Sequence, residues 1–88
     1  MYNENVIVEN ETGLHARPAL QFVQTVARFK SNVSLKSGEK VANAKSIINI
    51  LGLGIGKGNE ISICAEGEDE KLAVKELVKL VKSKFGES

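Results

Sequence analysis

Hydrophobic and polar positions alternate in some stretches of this chain and recur at helical spacing in others. Val6 and Val8 alternate with polar neighbours from Asn5 to Val8, the period of a half-buried strand, and Asn10-Glu11-Thr12-Gly13 then supplies loop residues. Between Ala16 and about Phe29, the residues Ala19, Leu20, Val23, Val26 and Ala27 fall at i, i+1, i+4, i+7 and i+8. That spacing predicts an amphipathic helix whose apolar stripe is flanked by Phe22. Val33 and Leu35 alternate with Ser34 and Lys36, and Ser37-Gly38-Glu39-Lys40 predicts a tight hairpin into Val41-Ala42-Asn43. The run Ile47-Ile48-Asn49-Ile50-Leu51 fits a buried strand or a short helix by period alone, and Ser46 at its head favours the helix. Glycines at 52, 54, 56 and 58 return the chain to a loop, and Ile61 and Ile63 alternate with Ser62 and Cys64 in a last strand. After a turn at Gly67 to Asp69, with Asp69 or Glu68 as cap, Val74, Leu77, Val78, Val81 and Phe85 line one side of a final helix. Gly86 is its stop. The order β-α-β-β-α-β-α predicts an α+β fold of two layers, a four-stranded antiparallel sheet covered on one face by three helices.

Composition narrows the setting. A chain of 88 residues with 42% hydrophobic content suits one compact domain, taken as residues 1–88. The single cysteine, Cys64, leaves no intrachain disulfide and suits a reducing, cytoplasmic compartment. The most apolar stretch, Ile47 to Ile55, is broken by Asn49, Gly52 and Gly54 and falls short of the roughly 20 residues that span a bilayer, so no membrane insertion is expected. The start of the chain lacks a basic segment and a long apolar run, and no signal peptide is expected. The net charge of +1 conceals a partition: residues 1–14 carry −3, residues 15–58 carry +6, and residues 59–88 carry −2. The basic middle, which holds the lone histidine, suits an acidic protein or a phosphate as readily as plain solvation. Nucleic acid is disfavoured, because one tyrosine and three scattered phenylalanines make no stacking platform.

The glycine series from Gly52 to Gly58 invites a phosphate-loop reading that its spacing rejects. Gly56-Lys57 is followed by Gly58 rather than Ser or Thr, and the dinucleotide pattern meets Lys57 or Asn59 where a third glycine is needed. Turning the chain is the better assignment for these glycines. One histidine and one cysteine make no closed metal site, and a Cys64–His15 nucleophilic pair is a remote alternative. Thr12-Gly13-Leu14-His15-Ala16-Arg17-Pro18 is more specific. His15 stands where loop gives way to helix, so free N–H groups and the positive dipole end lie beside its ring and would stabilise an anion there. Arg17 adds a fork of donors suited to phosphoryl oxygens, and Pro18 stiffens the first turn without removing a bonded donor. These residues alone leave two readings level, a phosphoryl-accepting histidine or an ordinary helix-start histidine with a solvated Arg17.

Gly13-Leu14-His15-Ala16-Arg17-Pro18-Ala19 resembles the active-site segment of the HPr family, the histidine-containing phosphocarriers of the phosphoenolpyruvate-dependent sugar phosphotransferase system. Asn43-Ala44-Lys45-Ser46-Ile47, with Leu53-Gly54-Ile55-Gly56-Lys57-Gly58, is similar to the regulatory-serine region of the family's Gram-positive members. The resemblance implies an open-faced β-sandwich and a carrier rather than an enzyme, with no cofactor and no metal. It implies that His15 takes a phosphoryl group on Nδ1 from enzyme I, with Arg17 assisting, and passes it to IIA domains of sugar permeases. It implies that Ser46 is phosphorylated by HPr kinase/phosphorylase to a form that binds the catabolite control protein. A regulatory relative carries glutamine at the position of His15, so the histidine speaks for a carrier, with a regulatory adaptor working through Ser46 as the alternative. Ala16, Leu20, Ile47, Ile48 and Leu51 are the apolar docking candidates, although Ile48 and Ile50 are also the residues expected to be plain core. Lys45, Arg28 and Lys30 are candidates for a charged rim, and a monomer is expected.

Overall fold

A computed structural model describes residues 1–87. Four strands form one antiparallel sheet: β1 (Tyr2–Ile7), β2 (Asn32–Ser37), β3 (Lys40–Asn43) and β4 (Glu60–Glu66), in the spatial order β1-β4-β2-β3. Helices α1 (Ala16–Val26), α2 (Ile47–Leu51) and α3 (Glu70–Lys82) cover one face, and a single 3-10 turn follows at Lys84–Gly86. The expected α+β architecture of two layers is therefore present, with α3 over β1 and β4 and α1 beside both α2 and α3.

The alternation of each strand decides its two faces. Val6, Ile61, Ile63, Ala65, Val33, Leu35 and Ala42 point into the core, and register carries them across the sheet: Ala42 opposes Leu35, and Leu35 opposes Ile63. The other face, bearing Asn5, Ser62, Cys64 and Ser34, has no layer over it. β1 starts three residues before the expected Asn5, because pairing with β4 extends to Tyr2↔Ala65. The hairpin forms as expected, closed between Ser37 and Lys40 with Gly38 at φ 61°.

Helix faces differ more from expectation. α1 ends at Val26 rather than near Phe29, and its buried residues are Pro18, Ala19, Phe22 and Val26. The stripe is thus rotated: Phe22 is fully buried at its centre, while Leu20 and Ala27 lie outside it. The bulky phenyl ring gains most from burial, and it sets the orientation that the smaller Ala27 cannot. In α2, Ile50 is buried as expected, but Ile48 is 77% exposed, contrary to its assignment to the core. A five-residue helix presents one narrow face to its neighbours, and Ile50 takes it.

The final helix is also shorter than predicted. It ends at Lys82 with Ser83 as its C-cap, and Phe85 lies beyond it in a left-handed turn with Lys84 (φ 59° and 55°). Such conformations cost roughly 1–2 kcal/mol per non-glycine residue, offset here by burying the Phe85 ring. Asp69 occupies the N-cap position of α3 but caps nothing in that helix. Its carboxylate accepts instead from the backbone N–H groups of Lys30 (2.9 Å) and Ser31 (3.0 Å) and from the Ser31 hydroxyl, pinning the α1–β2 turn to the β4–α3 turn.

Candidate functional site

The loop after β1 reaches α1 through a close backbone contact. Gly13 has φ 63°, and a β-carbon there would lie 2.4 Å from the Ile55 carbonyl oxygen and 2.6 Å from the Gly56 Cα. Only glycine meets both demands, so Gly13 and Gly56 act as a seat for the loop, sealed by the Leu14 N–H on the Ile55 carbonyl (3.1 Å). Gly54 and Gly58 have positive φ, in keeping with the chain-turning role expected of that series.

His15 is the N-cap residue of α1, in extended conformation (φ −96°, ψ −173°), and its carbonyl accepts the first helical bond from Ala19 at 2.8 Å. Its imidazole caps no backbone group and is exposed. The first turn carries no acidic residue, so the N–H groups of Ala16 and Arg17 and the positive helix end are not neutralised from within the helix. Arg17 is exposed in that turn and lines a shallow cavity of about 480 Å³ with Glu11, Gln21, Phe85, Gly86 and Glu87. Pro18, whose missing N–H would have had no helical partner, is buried. A neutral ring nitrogen at such a position can take an anionic group without desolvating it, because water and free N–H groups both reach it.

The apolar docking candidates lie on α1 and α2. Leu20 is 45% exposed, Ile48 77% and Leu51 37%, with Ala16 exposed and Ile47 half-buried, so the five docking candidates include three large exposed side chains. α1 and α2 are packed together, so these candidates lie on two neighbouring helices. Arg28 and Lys30 do not join them. They follow the C-terminal end of α1, about 16 Å from its start for eleven residues, where Arg28 lies over the Phe29 ring and Lys30 lies 3.9 Å from Glu68. Lys45 directly precedes Ser46 in the turn before α2.

Ser46 has the capping role its position predicted. In extended conformation, it accepts from the Asn49 N–H through its hydroxyl at 3.2 Å, and the side chain is only half-buried. Cys64 points from β4 to the uncovered face of the sheet, away from the helical layer, which rules out pairing with His15. Among the described residues, no group of three or more His, Cys, Asp or Glu could hold a metal ion, and no helix is long and apolar enough to cross a membrane.

Known proteins match this chain over nearly its whole length. The family model described as the PTS HPr component phosphorylation site matches residues 2–83. The chain belongs to the HPr family. HPr from Thermoanaerobacter tengcongensis is 48% identical, with 100% of this chain and 99% of that one covered and a TM-score of 0.97. The phosphocarrier protein HPr of Bacillus anthracis str. Ames is 40% identical over 91% and 95% of the two chains, with a TM-score of 0.88. Crh, the catabolite repression HPr of Bacillus subtilis, is 42% identical over 96% and 97%, with a TM-score of 0.77, and that structure is a swapped dimer. HPr proteins are phosphocarriers of the phosphotransferase system rather than turnover enzymes, with a branch in catabolite repression, and both an HPr and Crh have been solved as dimers, so the fold does not by itself establish the expected monomer.

Sequence reading missed three polar residues around the His15 loop. Asn10 is 1% exposed, its Nδ2 donates to the Gly13 carbonyl at 2.8 Å, and its Oδ1 is buried with no partner. Thr12 donates from its hydroxyl to Glu87 Oε2 at 2.6 Å. That pairing holds the Glu87 carboxyl below the usual carboxylate range. Asn10 and Thr12 read as generic loop residues, and nothing local announces a partner more than seventy positions away.

Proposed function

We propose that this HPr-family chain is a phosphocarrier that accepts a phosphoryl group on His15 Nδ1 from phosphorylated enzyme I and hands it to IIA domains of sugar permeases. The observation that carries the reading is an exposed, uncapped imidazole at a helix N-terminus free of acids, with Arg17 in the same turn. In each transfer a ring nitrogen attacks phosphorus, and the bond from phosphorus to the donor breaks with its electron pair leaving on the donor. Arg17 and the free N–H groups then stabilise the arriving oxygens. Ala16, Leu20, Ile47, Ile48 and Leu51 supply the apolar contact with both partners. The carrier works in the cytoplasm as one domain over residues 1–88.

Ser46 is the regulatory site in this reading, phosphorylated by HPr kinase/phosphorylase to give a form recognised by the catabolite control protein. Identity of 42% to Crh supports that second role. Incubation with phosphoenolpyruvate and enzyme I, followed by intact mass, tests the carrier reading. The wild type gains one acid-labile phosphoryl group, His15→Ala gains none, and Arg17→Ala gains it slowly with nearly unchanged melting. Phosphate uptake by His15→Ala overturns the assignment.

A further inference from the structure

We propose that Glu87, folded back from beyond α3, is a positioning residue for the loop that carries His15, acting through Thr12 and Asn10. One carboxylate oxygen, Oε2, accepts from the Thr12 hydroxyl at 2.6 Å and from Asn10 Nδ2 at 3.3 Å, 75 and 77 residues away in sequence. The same Nδ2 donates to the Gly13 carbonyl, and the Gly13 N–H returns to the Asn10 carbonyl at 3.1 Å. The chain of contacts therefore runs from Glu87 to a point two residues before His15.

Two costs show that this arrangement is imposed by the tertiary structure. Asn10 Oδ1 is left buried without a partner, so the amide is oriented by what its Nδ2 must reach. Lys84 and Phe85 both adopt positive φ, and Gly86 follows at 79°, so three consecutive left-handed residues bring Glu87 back to the loop while Phe85 anchors the turn in the core. The carboxylate also lies among charges: Glu9, Glu11, Lys57 and Lys84 line one shared cavity with it, and Glu11 and Arg17 line another. Thr12 favours its ionised form most strongly. Because transfer depends on the geometry of the reacting atoms, loosening this loop slows the reaction without touching the apolar docking candidates.

This inference rests on the carrier reading, and its test separates the two. In protein without any donor, the Asn10 side-chain amide and Leu14 backbone amide resonances, recorded in a Glu11→Gln background, follow the titration of a carboxylate below the usual glutamate range, and lose that titration when Glu87→Gln is added. In uptake catalysed by enzyme I, with this chain as the varied substrate, Glu87→Ala lowers kcat about five- to tenfold, a barrier rise of about 1–1.4 kcal/mol, with KM for the chain unchanged. Glu87→Gln keeps an acceptor and recovers part of kcat. Thr12→Val combined with Glu87→Ala is no slower than the slower single variant. The proposal is overturned by wild-type kcat in Glu87→Ala, by additive losses in the double variant, or by an amide titration that survives Glu87→Gln. Absence of phosphate uptake by the wild type would count against the carrier reading alone, since the amide titration needs no partner.

Discussion

At Ser46 the helix cap and the proposed regulatory site share one hydroxyl. Its hydrogen bond to the Asn49 N–H caps α2, and an N-cap serine contributes about 1 kcal/mol, so Ser46→Ala lowers the unfolding free energy by about that amount in chemical denaturation. Aspartate caps as well as serine does, and its charge is favourable at a helix start, so Ser46→Asp keeps the wild-type melting temperature. The same charge sits beside Ile47 and near the exposed Ile48 and Leu51, where an apolar partner surface would have to desolvate it. Slower phosphate uptake from enzyme I by Ser46→Asp, with melting unchanged, is the expected outcome. Equal uptake rates would leave Ser46 as a cap only.

At the scale of elements, the contact between the His15 loop and the segment before β4 decides where the helix start points. Gly13 and Gly38 have nearly the same φ, 63° and 61°, yet a β-carbon at Gly38 meets nothing within 4 Å while one at Gly13 runs into backbone. The pair separates conformational strain from steric exclusion. Gly38→Ala should cost about 1 kcal/mol through φ alone, and Gly13→Ala roughly 2–3 kcal/mol, because the Ile55–Gly56 backbone must move as well. Thermal melting of the two variants gives the difference. Gly13→Ala should also slow uptake at His15 beyond any effect of Gly38→Ala, since only the first displaces the helix start.

For the whole molecule, acid is the expected weakness. Hydrogen bonds from Ser31 and the Lys30 backbone to Asp69, from the Met1 ammonium and Gly67 to Glu70, and from Thr12 to Glu87 all lower the carboxyl pKa on folding. A depressed folded pKa gives stability that is present above the unfolded value and lost as pH falls through the folded one. Melting temperature should therefore be flat from neutral pH down to the ordinary carboxylate range and then decline. Melts recorded from pH 7 to pH 2 check this, and Asp69→Asn should flatten the decline while lowering the plateau, because it breaks the tie between the α1–β2 and β4–α3 turns. A decline that begins well above the carboxylate range would contradict the assignment. Exposed ion pairs such as Lys57–Glu11 at 2.7 Å contribute little beyond this and are screened by salt.

The sequence by itself determined what depends on near neighbours: the order of seven elements, the hairpin at Gly38, the cap at Ser46 and the helix start beside His15. Each rests on periods of two or 3.6 residues and on turn and cap chemistry within a few positions. Tertiary structure decided which side of each element is covered. Phe22 rather than Leu20 faces the core of α1, and Ile50 rather than Ile48 faces that of α2, because apolar period marks a hydrophobic residue without saying what packs on it. It decided also that Asp69 leaves its own helix to bind Lys30 and Ser31, and that Glu87 returns to Thr12. Those bonds join groups 38 to 75 residues apart, and only the folded chain, by closing such loops at the entropy cost its core offsets, brings the donors and acceptors together.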